Sequence, residues 1–267
     1  MIHKELNPSK GLLNLIEANA PFWGAEAEVI RSYWNSPVRN LDTDKKWLTH
    51  QIYKEYWNGV MPYQALFYKQ LPIASSKEQR QELMELSEIV YEEVEHFNMF
   101  ADLYSTLTGS DYNLTPEQLK EAGAWAENDG LVTLRKNHIA ESADIGPRAT
   151  RFTEGGYVAF FSEGMKLAGG NDFENELAKI CKIIHDDEFN HMLLGIIETD
   201  SEQLSDADWQ MLERFTVEQT RQRVIMRNAQ FSKPVTDQRM TDLLAGRATP
   251  VVFDFDYAAQ LLNKEAA

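Results

Sequence analysis

The chain has 267 residues, 43% hydrophobic and 11% aromatic, which supports a sizeable core and excludes a wholly disordered chain. A formal net charge of −16 argues against nucleic-acid binding; the densest basic stretch, residues 221–227, holds only three arginines. The single cysteine, Cys181, excludes a disulfide within the chain and reads as a small buried apolar residue, which fits a reducing cytoplasm.

The first five residues lack the apolar stretch of a signal segment, and no apolar run approaches the length of a membrane span. The expectation is a cytoplasmic protein without a membrane partner. Periodicity near 3.6 residues, punctuated by Pro, Gly and Asn/Asp clusters, predicts helices almost throughout. The first long helix, A, starts at the N-cap oxygens of residues 42–44 and runs to about residue 70, with a kink at 59–62. Residues 71–76 turn the chain. Helix B spans 76–108 and stops at Gly109. Residues 115–146 carry one or two shorter helices. Helix C spans 147–168, ending at Gly169 and Gly170, and helix D spans 171–199. A fifth helix covers 205–231. Residues 250–253, in the tail, have no assignment.

The expected fold is all-α, a single domain over residues 1–267. Two hairpins, A–B and C–D, joined by a long crossover, form a four-helix bundle over about 42–199. The C-terminal helix and tail are additions to it.

Two polar pairs interrupt the apolar stripes. Helix B has Leu83, Leu86, Val90, Phe97, Phe100 and Leu107 on its stripe, with Glu93 and His96 among them. Helix D has Leu177, Cys181, Ile184 and Met192, with Glu188 and His191 among them. Residues three apart share a helix face, so each pair aims a carboxylate and an imidazole at the core. A buried charge needs a partner or a metal. Dinuclear sites in four-helix bundles use two such Glu-x-x-His pairs and one glutamate from each remaining helix. Reflection through the two turns selects these glutamates. Glu93 reflects to Glu55, on the stripe of Leu48, Ile52 and Leu66. Glu188 reflects close to Glu154, on the stripe of Val158, Phe161 and Met165. Glu163 competes with Glu154 but lies half a turn round. Gly155 and Gly156 serve either close packing or room for dioxygen. An acid precedes each motif glutamate, and metal-bound histidines donate their second ring N–H to carboxylates. Asp187 is therefore expected to hold His96, and Glu92 to hold His191. His50 and His138 lie off the pattern and read as structural.

Glu92-Glu93-Val94-Glu95-His96 and Asp187-Glu188-Phe189-Asn190-His191 resemble the paired motifs of the ferritin-like di-iron carboxylate proteins. The oxygenase and oxidase branch, near the di-iron N-oxygenases, is the nearest resemblance, over about residues 42–199. It implies a non-heme di-iron enzyme, with two iron ions or a manganese–iron pair held by Glu55, Glu93, His96, Glu154, Glu188 and His191. Such an enzyme activates dioxygen to hydroxylate, N-oxygenate, desaturate or cleave a small organic substrate, using an electron donor that the sequence does not identify. Phe100, one turn after His96, stands where radical-bearing reductase subunits carry tyrosine. His185 resembles the extra histidine of the N-oxygenases and is a candidate seventh ligand. It also permits a second reading, a heme-oxygenase-like di-iron oxidase with ligands His185, Glu188 and His191 and without Glu55. A third is an iron-handling ferritin-like protein without organic substrate. A homodimer is the expectation by analogy. Phe97, Phe100, Phe160 and Phe161 read either as the wall of an apolar substrate pocket or as plain core.

Overall fold

The computed structural model describes residues 7–201 and 203–265; the first five residues, read above for a signal segment, lie outside it. Among the described residues every regular element is helical.

The first helix is one the sequence reading did not assign. α1 (Lys10–Trp34) is capped by Ser9, whose side chain accepts from the Leu12 N–H. It buries residues on most of its faces, among them Leu12, Trp23, Val29, Ile30 and Tyr33. Its polar residues Lys10, Asn14, Glu17 and Arg31 are exposed and recur at helical spacing, so the period is present in the sequence; Pro21 in mid-helix interrupts it.

Expected helix A is three consecutive segments: α2 (Leu41–Lys54), a π-helical stretch (Glu55–Val60) and α3 (Met61–Gln70). The cap is Asn40, two residues earlier than expected, in a reciprocal capping box with Thr43. The anticipated kink is this wider π turn, a feature frequent at functional sites. α4 (Lys77–Thr108) is helix B as read, opened by a Ser76–Gln79 capping box and closed by Gly109 at φ 68°. α5 (Pro116–Gly123) and α6 (Ala126–Glu141) fill the crossover.

Helix C is not continuous. α7 (Ile145–Phe152) gives way to a short 3-10 turn (Glu154–Gly156), and α8 (Ala159–Met165) follows. Gly155, Gly156, Tyr157 and Val158 all have positive φ. The two glycines answer to close neighbours. A Cβ on Gly156 would sit 2.3 Å from Arg223 Nε, and one on Gly155 would sit 3.0 Å from Glu188 Oε2. A β-branched valine in the left-handed region costs on the order of 1–3 kcal/mol, and Val158 is held there in the core.

α9 (Asp172–Ser201) is expected helix D; Asn171 and Glu174 cap it reciprocally. α10 (Asp206–Gln230), α11 (Asp237–Leu244) and α12 (Phe255–Glu265) complete the chain. Residues 250–253 run across α1: the Val251 N–H donates to the Ala20 carbonyl at 3.1 Å. A Cβ on Gly24 would lie 1.9 Å from the Thr249 oxygen, so glycine lets the tail approach.

α4 packs against α2, α3, the π segment and α9, and α9 packs against α7 and α8. α1 and α10 pack on each other and flank this group; α1 meets α8, and α10 meets α6 and α7. Trp23, Trp47, Phe100, Phe160, Phe161, Phe189 and Phe231 belong to one core between them. Cys181 is buried, as its reading required.

Candidate metal centre

Glu55 opens the π segment, Glu93 and His96 sit mid-way along α4, Glu154 begins the broken turn after α7, and Glu188 and His191 lie on α9. Ligand atoms of Glu55, Glu93 and His96 all lie within 4.8 Å of one another, and all three residues are buried. Glu55, Glu93, Glu154 and Glu188 line one small cavity of about 40 Å³. A water-sized group needs roughly 10–15 Å³ on this measure, so the space suits about three such groups.

The local backbone makes room for this cluster. A Cβ on Gly59 would lie 2.1 Å from Glu93 Oε2. Gly59, in the π segment, and Gly155, in the broken turn, each leave space for a carboxylate from a facing helix. The features that depart from regular helix are therefore those that let the four acids converge.

Electrostatics show the cost of the convergence. Burial, then the charges of Glu188, Glu55 and Glu154, hold the Glu93 carboxyl well above the usual carboxylate range. Burial opposes a charge on each histidine, but carboxylates outweigh it. His191 is pushed up to about 9 by its hydrogen bond to Glu92 and by nearby Glu188 and Glu154. His96 is raised by Asp187, Glu55 and Glu188.

The histidines have the arrangement expected of ligands. His96 Nε2 donates to Asp187 Oδ2 at 3.1 Å, and His191 Nε2 donates to Glu92 Oε2 at 2.9 Å. Each carboxylate comes from the helix opposite its histidine, as the sequence reading predicted. The other nitrogens, His96 Nδ1 and His191 Nδ1, are buried and have no hydrogen-bond partner. A buried polar atom without a partner is uncommon and calls for a cause. In the neutral ring the proton sits on Nε2, so each Nδ1 presents a lone pair to a cation that displaces its second proton. Of the six predicted ligands, Glu55, Glu93 and His96 bring their ligand atoms to metal-binding spacing. Glu154 and Glu188 share the small cavity with Glu55 and Glu93, but with His191 they do not close to the same spacing among the described residues. Carboxylate oxygens and imidazole nitrogens are hard O/N donors, and this chemistry fits iron or manganese.

Several residues that sequence reasoning missed surround the cluster. Gln51 donates to Glu55, and its own oxygen accepts from Arg227 Nη1 at 2.9 Å. Arg227 and Arg223 share buried Glu26, each at 2.9 Å. This chain of contacts ties Glu55 to α1 and α10. Tyr63 donates to Glu154 at 2.8 Å, and burial beside the acids pushes its phenol up. Arg135, lowered to about 10 by burial and by Arg223, lines the small cavity with Lys54. Gln51 was findable: it precedes Glu55 by four residues, on the same helix face. Arg135 had no sequence signal, because only the tertiary fold brings the crossover to the cluster.

Other expectations are corrected. His185 does not join the carboxylates. It contacts Asp186 at 3.2 Å and stacks on Phe189, in a separate cavity lined by Tyr157 and Tyr257. It lies one turn before Glu188, at the edge of the face that carries Glu188 and His191, and its ring is drawn to the other cavity by Asp186 and Phe189. Glu163 is buried but ion-paired to Arg31 and Lys166, at 3.0 and 2.7 Å, so Glu154 is the acid that helix C brings to the cluster. Phe100, Phe160 and Phe161 are plain core, while Phe97 packs on Tyr56 and Tyr112. His50 bonds to the Gly123 carbonyl, and His138 lies between Gln219 and Glu218.

No family model, curated protein or solved structure matches the chain. Among the described residues no helix is long and apolar enough to cross a membrane.

Proposed function

We propose that this chain is a ferritin-like non-heme di-iron oxidase or oxygenase acting on a small organic substrate in the cytoplasm. The observation that carries the reading is the pair of buried, unpartnered Nδ1 atoms, each on a histidine oriented by a carboxylate from the opposite helix. Glu55, Glu93, His96, Glu154, Glu188 and His191 would hold two iron ions, or a manganese–iron pair. The four carboxylate charges balance two divalent cations, which relieves the repulsion that raises Glu93.

When bound, the metal pair supplies dioxygen activation. The chain's own residues set its surroundings. Asp187 and Glu92 keep the imidazole protons on Nε2. Gln51, braced by Arg227, fixes the orientation of Glu55. Tyr63 holds Glu154 and keeps a protonated phenol beside it. Arg135 and Lys54 add positive charge to the rim of the small cavity.

Convergence of Glu55 with Glu93 and His96, and the placement of His185 elsewhere, favour this reading over the heme-oxygenase-like one. The test is oxygen uptake. Anaerobically Fe(II)-loaded protein should consume dioxygen with a transient visible absorption, and a Glu93→Ala/Glu188→Ala variant should do neither. Uptake of many irons per chain would instead identify an iron store.

A further inference from the structure

A second, larger cavity of about 800 Å³ lies against the carboxylate cluster. Small-molecule sites span roughly 300–1,000 Å³, so its size suits an organic ligand. Glu154 lines both cavities and is the wall between them. His191, 9% exposed and with its Nδ1 unpartnered, lines the larger one. The larger cavity is therefore an approach to the proposed metal ligands.

Its lining mixes two chemistries. Leu66, Leu86, Ile89 and Leu194 are apolar. Glu85, Glu88 and Glu92 recur at helical spacing along α4, beside Leu86 and Ile89 of the same helix. Glu92 is committed to His191. Glu85 and Glu88 have no ion-pair partner among the described residues, and both are exposed at the outer end. Arg151 is the lysine or arginine among the lining residues, and Glu198 already pairs with it at 2.6 Å. The cavity thus offers an apolar body four aliphatic side chains, and a positive charge two carboxylates outside any ion pair among the described residues, of which Glu85 accepts from the Gln81 amide at 3.2 Å.

We infer that this cavity takes the organic substrate, and that the substrate is an amine: an ammonium group on an apolar body. The ammonium sits against Glu85 and Glu88, and the apolar part extends towards Glu154 and His191. Four to seven residues separate those carboxylates from Glu92. At about 1.5 Å rise per residue, Glu88 and Glu85 lie about 6 and about 10.5 Å along α4 from Glu92, the carboxylate that holds His191, so the oxidised position is remote from the positive charge. The same carboxylates repel organic acids. The assignment as substrate rests on the metal-centre reading; the ammonium selectivity does not.

The test is calorimetric titration with octylammonium, octanoate and octan-1-ol, on iron-loaded protein under nitrogen. Octylammonium should bind at one site at millimolar concentration or below, at least tenfold more tightly than octanoate. Glu85→Gln/Glu88→Gln, two surface changes away from every proposed ligand, should erase that preference while iron content stays at the wild-type level. Octan-1-ol should bind both proteins alike. Equal binding of octylammonium and octanoate, absence of octylammonium binding, or an unchanged preference in the double variant would overturn the inference. Iron content separates the two claims: ammonium selectivity in a chain that takes up no iron would leave the cavity standing and remove the metal centre.

Discussion

His191 Nε2 lies 2.9 Å from Glu92 Oε2, across the interface between α9 and α4, while the Nδ1 of the same ring is buried without a partner. His96 and Asp187 repeat the relationship in the reverse direction at 3.1 Å. Each helix gives the other a histidine and the carboxylate that orients it.

This reciprocity predicts the effect of removing one orienting charge. Glu92→Gln or Asp187→Asn should keep the fold, since both side chains are partly exposed. Metal affinity should fall about 10–100-fold, the usual cost of losing such a partner. Competition with a chelator measures it. Unchanged affinity would mean that the two acids are surface charge only.

Gly59 separates binding from folding. A Cβ there would press on Glu93 Oε2, the flexible end of a side chain, which can swing aside. Gly59→Ala should therefore change the stability of the metal-free protein by about 1 kcal/mol or less, below the usual cost of overpacking a rigid core. It should nevertheless weaken metal binding at least tenfold, because the displaced group is a ligand. Thermal melts with and without metal make the comparison.

Gly156 should behave differently. Its added Cβ meets the Arg223 guanidinium, and its φ of 60° disfavours any side chain. Gly156→Ala should destabilise the fold itself, by at least about 1–3 kcal/mol. The buried ion cluster behind it sets a larger cost for Glu26→Gln, about 3–5 kcal/mol, because two buried arginines lose their charge partner. Denaturant unfolding measures both.

The metal-free protein should lose stability as pH rises. His191 moves from 6.5 to about 9 on folding, so its stabilising contribution is complete below about 6.5 and lost as pH passes 9. Glu93 is also raised, so it acts in the same direction. Metal ions displace these protons, so affinity should climb over the same window and binding should release protons. Melting temperatures of chelator-treated protein between pH 6 and 9 test the sign; a rising stability would contradict it.

Much of this centre was legible in the sequence, for identifiable reasons. Glu93, His96, Glu188 and His191 interrupt apolar stripes at a spacing of three, and long regular helices preserve that spacing in the fold. Glu92 and Asp187 followed from the same register. Glu55 was found by reflection through a short turn, which works because α3 and α4 are joined by only a few residues. Glu154 was found the same way, although the helix has already ended at Phe152 and the positive-φ residues 155–158 lie between it and the turn, so the broken turn rather than helical register delivers it. α1 was not assigned although its exposed Lys10, Asn14, Glu17 and Arg31 recur at helical spacing; Pro21, in mid-helix, reads as a break. Arg135 and the Glu26 cluster were not legible either, because they meet through long-range packing that no local period encodes.

Metal content is the most direct test of the central claim. After anaerobic loading with Fe(II) and removal of free metal, the wild-type chain should retain about two iron ions. Glu93→Ala/Glu188→Ala, with its helical content shown intact by circular dichroism, should retain essentially none. A wild-type chain without iron, or a double variant holding as much iron as wild type, would contradict the account.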